Sequence, residues 1–194
     1  MSGKGILFDF DGTLVPNLDL ADMRRQIAEA AAAAGVPDDV HAGLYIVEII
    51  EASQAWLLEQ HGGEASLSNQ YAADSHQRIH DIEMQAAGKT RLFDDARRVL
   101  IQLRSADYRL GIVTRNCREA VMTMFPDMNE YIDCLHARDD VEYLKPDPRH
   151  LQANLDALGA DPVLSVMVGD GALDMQAGRE LKMRCIGVLT GSND

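Results

Sequence analysis

The chain reads as an α/β fold: a parallel sheet covered by helices on both faces, with an all-helical block inserted after the first strand. Three observations predict it. From about residue 94 to residue 189, short apolar runs alternate with amphipathic helical segments. One further apolar run, Gly5 to Phe10, stands far ahead of them. The intervening stretch, roughly 16–90, has helical periodicity only. Strand–helix alternation implies βαβ units and strands buried on both faces, so the helical block interrupts a single α/β domain.

The elements follow in order. Gly5 to Phe10 is ended by Asp11-Gly12, a strand and its turn. Asp19 can cap a helix carrying Met23, Ile27, Ala30 and Ala34, closed by Gly35 and Pro37. A second helix is expected from about Asp39 to Gln60, with Tyr45, Ile49, Ala52 and Trp56 on one face and Ile46, Ile50 and Leu57 beside it. A third, about Ser68 to Ala87, carries Tyr71, Ile79, Ile82 and Ala86. Asp94 then caps a helix containing Val99, Leu100 and Leu103. Leu110 to Thr114 is a strand, Arg118 to Phe125 a helix, and Cys134 to Ala137 a weak strand. Asp147 and Pro148 open a helix with Leu151, Leu155 and Leu158, closed by Gly159. Val163 to Val168, Leu173 to Leu181 and Cys185 to Leu189 complete the pattern as strand, helix and strand.

Composition narrows the function. The chain has 194 residues with 46% hydrophobic, 25% charged and a formal net charge of −13. That acidity argues against nucleic-acid backbones and anionic membranes, which demand a basic face. Residues 16–90 carry 12 acidic and 4 basic residues, an excess that reads as solvated surface. Cys117, Cys134 and Cys185 form neither a disulfide framework nor a CxxC site, and none of the 6 histidines has zinc spacing. Ile6-Leu7-Phe8 is too short for a signal peptide, and no segment approaches the ~20 apolar residues of a membrane span. A cytoplasmic protein is expected.

Asp9 ends the first strand and Asp11 follows it. Alone, Asp-x-Asp-Gly also reads as a pair of turn aspartates. Other polar groups share its situation. Asp170 ends the strand Val163–Val168, with Asp174 one helical turn along. Thr114 ends Leu110–Val113, followed by Arg115 and Asn116, and Lys145 stands immediately before a helix. Open α/β sheets bind ligands beyond the carboxyl ends of their strands. Four acids, a hydroxyl and an ammonium converging there would hold a divalent cation and an oxyanion, and hard oxygen ligands beside phosphate suit Mg²⁺.

With these residues in view, the chain resembles the haloacid dehalogenase superfamily over essentially its whole length. Asp9-Phe10-Asp11-Gly12-Thr13 is similar to its first motif, Thr114 to its second, Lys145 to its third, and Gly169-Asp170 with Asp174 to its fourth. The stretches Leu110 to Asn116 and Lys145 to Pro148 look most like phosphoglycolate phosphatase-like members. The resemblance implies a Rossmann-like catalytic core on residues 1–15 and 91–194 and a helical cap domain over 16–90. It implies Asp9 as nucleophile, already ionised at neutral pH, and Asp11 as general acid and base. Mg²⁺ would be held by Asp9, the backbone carbonyl of Asp11, and Asp170. Thr114 and Lys145 would bind the phosphoryl group, with Asp174 orienting Lys145 or a metal-bound water. Arg115, Asn116 and Gly12 would line the substrate, Asn116 as the cap of the following helix.

The substrate implied is a small phosphorylated metabolite such as 2-phosphoglycolate, hydrolysed through an aspartyl-phosphate. Sugar phosphates and nucleoside monophosphates stay open, and so does the oligomeric state. A phosphosugar mutase shares every core motif and is the alternative among enzymes. A non-catalytic binding protein on the same fold is the alternative outside them. Bland readings are preferred elsewhere: His76 and His80 as a solvated face, Arg24 and Arg25 as surface, Trp56 as core of the helical block, and Cys117 as a buried thiol.

Overall fold

The structure, a computed structural model, describes residues 3–191, so the first two and last three residues of the expected core lie outside the described residues. Five strands form one sheet: β1 (Gly5–Phe8), β2 (Arg109–Val113), β3 (Cys134–His136), β4 (Val166–Gly169) and β5 (Arg184–Gly187). All pairings are parallel, in the order β3-β2-β1-β4-β5. The chain runs outwards from β1 through β2 to β3, then returns to β4 on the other side of β1. That reversal opens a crevice at the carboxyl ends of β1 and β4.

The helices follow from βαβ connection. After β1 come α1 (Leu20–Ala33), α2 (Asp38–His41), α3 (Ile46–Gln60) and α4 (Ala65–Ala87), then α5 (Ala96–Ser105). The later crossovers are α6 (Arg118–Met124), α7 (Pro148–Leu158) and α8 (Ala172–Glu180). Every residue of β1 is buried, as a central strand covered on both faces requires. Ile6, Phe8 and Ile112 pack with Leu100 of α5 and Val121 and Met124 of α6. Leu7, Val113 and Met167 point the other way, onto Leu151 and Leu155 of α7 and Ala177 of α8. The period-two alternation of strand side chains thus sorts one apolar run into two cores.

The described parts of Met1–Leu18 and Met84–Asp194 form one compact unit, and Asp19–Glu83 forms a second. In the second unit α1 buries Met23, Ile27 and Ala31, and α3 buries Val47, Ile49, Ile50 and Leu57. Its limits fall inside residues 16–90 of the sequence reading, since Ala87 joins the cluster of Phe10 and Leu92.

Local departures have local causes. The helix expected from Asp39 to Gln60 is broken into α2 and α3, because Gly43 takes φ +77 between them. The cap of α5 is Asp95 rather than Asp94, and its side chain pairs with Arg98 instead of a backbone N–H. Pro162–Leu164 is a 3₁₀ turn with Val163 and Leu164 exposed, so β4 starts only at Val166. Asp147 does cap α7, accepting from the Arg149 N–H, with Pro148 at its first position and Gly159 left-handed at its end.

Candidate active site

Three strands of one unit deliver two carboxylates and a hydroxyl. Asp9 follows β1, held in sheet register by its N–H to the Val168 carbonyl at 2.8 Å. Asp170 follows β4, Thr114 follows β2, and Lys145 lies in the connection from β3 to α7. Lys145 is 2% exposed, and its Nζ donates to Asp9 Oδ1 at 2.7 Å and Asp174 Oδ1 at 2.6 Å. Asp174, in the first turn of α8, accepts the Gly171 N–H through its other oxygen at 3.1 Å. Asp9 Oδ1 also accepts the Phe10 N–H at 2.7 Å.

Glycines make room for this arrangement. A Cβ on Gly169 would stand 2.4 Å from Asp174 Oδ2. Gly12 has φ +77, and a Cβ there would lie 2.5 Å from Asp170 Oδ2. Gly12, expected against substrate, is therefore the turn that lets Asp170 approach the loop after β1.

The carboxylates outnumber the ammonium. Asp9, Asp170 and Asp174 each offer an oxygen, all within 4.8 Å of one another. Burial and the Asp174 charge push Asp9 up to about 8, against the pull of Lys145. Burial pulls the Lys145 ammonium down, but Asp174 and Asp9 outweigh it and leave it above its usual value. Asp9 therefore holds its proton more tightly than an ordinary carboxylate. Three carboxylates around one ammonium offer hard oxygen donors that suit a divalent cation, whose charge would pull Asp9 back towards its ordinary value.

Asp11 is engaged elsewhere. Both its carboxylate oxygens accept from Asn116 Nδ2, each at 3.1 Å, and Oδ2 also accepts from the Thr114 hydroxyl at 3.4 Å. Thr114 Oγ1 in turn accepts the Asn116 N–H at 3.0 Å. Asn116 is not the cap of α6, as expected: Cys117 holds that place and donates its N–H to Asn116 Oδ1. Asn116 instead grips Asp11. Arg115 donates through Nη1 to the Lys145 carbonyl, so one of its N–H groups serves the chain rather than a substrate.

A family model for haloacid dehalogenase-like hydrolases matches residues 6–188. The chain belongs to this family. Pyrophosphatase PpaX of Bacillus velezensis is 27% identical to this hydrolase over 189 residues, 94% of this chain and 82% of that one. A plasmid-borne phosphoglycolate phosphatase of Cupriavidus necator is 24% identical, covering 90% of this chain and 75% of its own. The crystal structure of CbbY from Rhodobacter sphaeroides in complex with phosphate shares the fold at TM-score 0.67 and 22% identity, over 99% of this chain and 89% of that one. The α/β architecture read from sequence is the haloacid dehalogenase-like fold. Among the described residues, no helix is long and apolar enough to cross a membrane.

Sequence reasoning passed over three residues of this hydrolase's site. Asn17 donates to Asp170 Oδ2 at 3.3 Å. Thr190 donates to the Gly12 carbonyl at 2.5 Å. His150, fully buried in the first turn of α7, accepts the Lys145 N–H at 3.2 Å. Asn17 and Thr190 have no motif because their partners are brought near only by folding, and His150 has none because its ring bonds to peptide groups. His76 is exposed, and Cys117 is buried and forms no disulfide.

Proposed function

We propose that this hydrolase is a Mg²⁺-dependent phosphatase of small phosphomonoesters, working through an aspartyl-phosphate on Asp9. The observation that carries the reading is Lys145 buried between Asp9 and Asp174, with Asp170 completing a three-carboxylate cluster at the crevice of the sheet. Burying Lys145 and Asp174 beside the half-buried Asp9 and Asp170 is costly, and an anion and a cation received there would offset that cost. Asp9, Asp170 and the backbone carbonyl of Asp11 would hold the Mg²⁺, with Asp174 close by. When bound, the ion supplies charge against which carboxylates and a phosphate dianion can meet.

The residues do the rest. Lys145 and the Phe10 N–H both engage Asp9 Oδ1, which leaves Oδ2 to attack phosphorus in line. As the P–O bond to the leaving group breaks, Asp11 gives that oxygen a proton. It then takes a proton from the water that attacks the aspartyl-phosphate, releasing phosphate and restoring Asp9. Thr114 donates to a phosphoryl oxygen once its hydroxyl turns from Asp11, and Lys145 balances the phosphoryl charge. Arg115 and Asn116 stand beside them, Asn116 through its grip on Asp11. The helical segment 16–90 serves as the cap domain.

The names of the relatives guide the choice of substrates. 2-Phosphoglycolate and inorganic pyrophosphate head the panel, followed by sugar phosphates and nucleoside monophosphates. The test is hydrolysis of p-nitrophenyl phosphate and this panel with Mg²⁺. Turnover is expected, with Asp9→Asn inactive; a folded wild type inert towards every member would overturn the proposal. Product analysis with hexose 1-phosphates separates phosphatase from mutase, since only the former releases phosphate.

A further inference from the structure

Lys145 is held by more than its ammonium contacts. Its peptide N–H donates to His150 Nδ1 at 3.2 Å, and its carbonyl accepts from Arg115 Nη1. The other ring nitrogen, His150 Nε2, lies 3.2 Å from the His136 carbonyl at the end of β3. That same carbonyl accepts the Thr114 N–H at 3.1 Å. One imidazole therefore joins the backbone of Lys145 to the oxygen that fixes the backbone of Thr114. Lys145 and Thr114 come from separate connections, β3 to α7 and β2 to α6, and no covalent feature sets their spacing.

The partners dictate the state of the ring. A peptide N–H can only donate, so Nδ1 must carry a lone pair. A carbonyl can only accept, so Nε2 must carry the proton. The imidazolium would set N–H against N–H at Lys145. It would also stand in the first turn of α7, where the helix dipole opposes a cation. Burial, followed by the Lys145 charge, pulls His150 down to about 3. Four residues on, the same face of α7 presents Asn154, whose Nδ2 lies 2.9 Å from the Ile112 carbonyl and 3.1 Å from His136 Nδ1. The docking of α7 on β2 and β3 is thus polar and directional at His150 and Asn154, beside the apolar contacts of Leu151 and Leu155.

We infer that His150 is a positioning residue for phosphoryl transfer, a buried neutral imidazole with its proton on Nε2 that sets Lys145 against Thr114 through the His136 carbonyl. The inference deepens the phosphatase reading and rests on it for its kinetic arm. Removing the ring leaves the Lys145 N–H unpaired and frees the connection to shift. A displacement of about 1 Å at a charged group in a site can cost ~100-fold in rate.

Three variants and one spectrum test it in the whole protein. His150→Leu keeps volume and removes both bonds. His150→Asn can still accept the Lys145 N–H, and His150→Gln can reach only the His136 carbonyl. Circular dichroism checks the fold of each. With p-nitrophenyl phosphate and saturating Mg²⁺, kcat/KM is expected to fall about 10- to 100-fold in all three variants, since each breaks the bridge from Lys145 to the His136 carbonyl. The inhibition constant of inorganic phosphate should weaken in all three, since the ammonium and hydroxyl that receive it lose their spacing. Long-range ¹⁵N–¹H correlation of the imidazole should show Nε2 protonated and Nδ1 bare from pH 8 to pH 5. A proton on Nδ1, or a folded His150→Leu with wild-type kcat/KM and phosphate affinity, overturns the inference. The spectrum needs no turnover, so an inert wild type with the expected tautomer would overturn the phosphatase reading and not this one. Should His150→Leu fail to fold, His150→Gln and His150→Asn carry the kinetic arm, and wild-type kcat/KM and phosphate affinity in either overturns the inference.

Discussion

Gly169→Ala tests whether Asp174 stands where the structure puts it. The new Cβ would lie 2.4 Å from Asp174 Oδ2 and 2.5 Å from its Cγ, where ordinary contact begins at 3.4 Å. The carboxylate must retreat by about 1 Å, enough to carry a 2.6 Å bond from Lys145 Nζ beyond hydrogen-bond range. Overpacking of this kind costs ~1–3 kcal/mol. Weakening a charge-assisted buried bond costs about 1.5–3 kcal/mol more. The retreat relieves part of the clash, so the two do not add in full and a loss of about 2–4 kcal/mol is expected. Activity should fall further, by ~100-fold in kcat/KM, because Lys145 loses one of its two anchors. Gly187→Ala is the matched control. Gly187 is paired in register with Gly169 on β5, and nothing lies within 4 Å of its added Cβ. Its cost should stay within about 0.5 kcal/mol. Urea unfolding and p-nitrophenyl phosphate turnover of both variants make the comparison. If Gly169→Ala behaves like Gly187→Ala in both, Asp174 is not held against Gly169 and the reasoning fails.

Three further outcomes are expected. Asp170→Asn should fold as stably as the cation-free wild type but lose its stabilisation by Mg²⁺. For wild type at a hundred times Kd that is about 2.7 kcal/mol, or roughly 5–10 °C in Tm, abolished by EDTA; a Tm rise retained in the variant would remove Asp170 from the cation site. His150 is held neutral in the folded chain and takes a proton near 6.5 when unfolded, so its contribution is complete above that pH and is lost as pH falls towards 3. Between pH 7 and pH 5 wild type should therefore lose about 2 kcal/mol more than His150→Asn in urea unfolding; parallel losses would contradict the buried neutral ring. Asn116→Ala frees Asp11 from both amide bonds, so kcat should fall about tenfold or more with an alkyl phosphate. The loss should be smaller with p-nitrophenyl phosphate, whose leaving group needs no proton, and equal losses would separate Asn116 from the acid role of Asp11.

The sequence by itself determined the alternation of elements, because burial on both faces of a parallel sheet demands unbroken apolar runs such as Ile6-Leu7-Phe8. It also showed that Asp9, Thr114 and Asp170 come at strand ends, where a polar residue interrupts such a run. Helix punctuation was legible where chemistry is local, at Asp19 and at Asp147 with Gly159, and less so at Gly43, where a left-handed backbone splits a helix whose apolar spacing continues across the break. What the tertiary structure alone decided is which partners those groups meet. Asn116 follows Thr114 by two residues and could cap α6, yet it reaches Asp11, 105 residues earlier in the chain. His150 carries no motif, because its ring bonds to a peptide N–H and a carbonyl, and every residue except proline offers that N–H. The raised pKa of Asp9 could not be read from its neighbours in sequence either. It depends on burial and on Asp174 and Lys145, which only the packing of α8 and the β3–α7 connection against β1 brings within reach. Apolar periodicity is a property of each segment, whereas hydrogen bonds and charge pairs belong to distances between segments, and those exist only once the chain has folded.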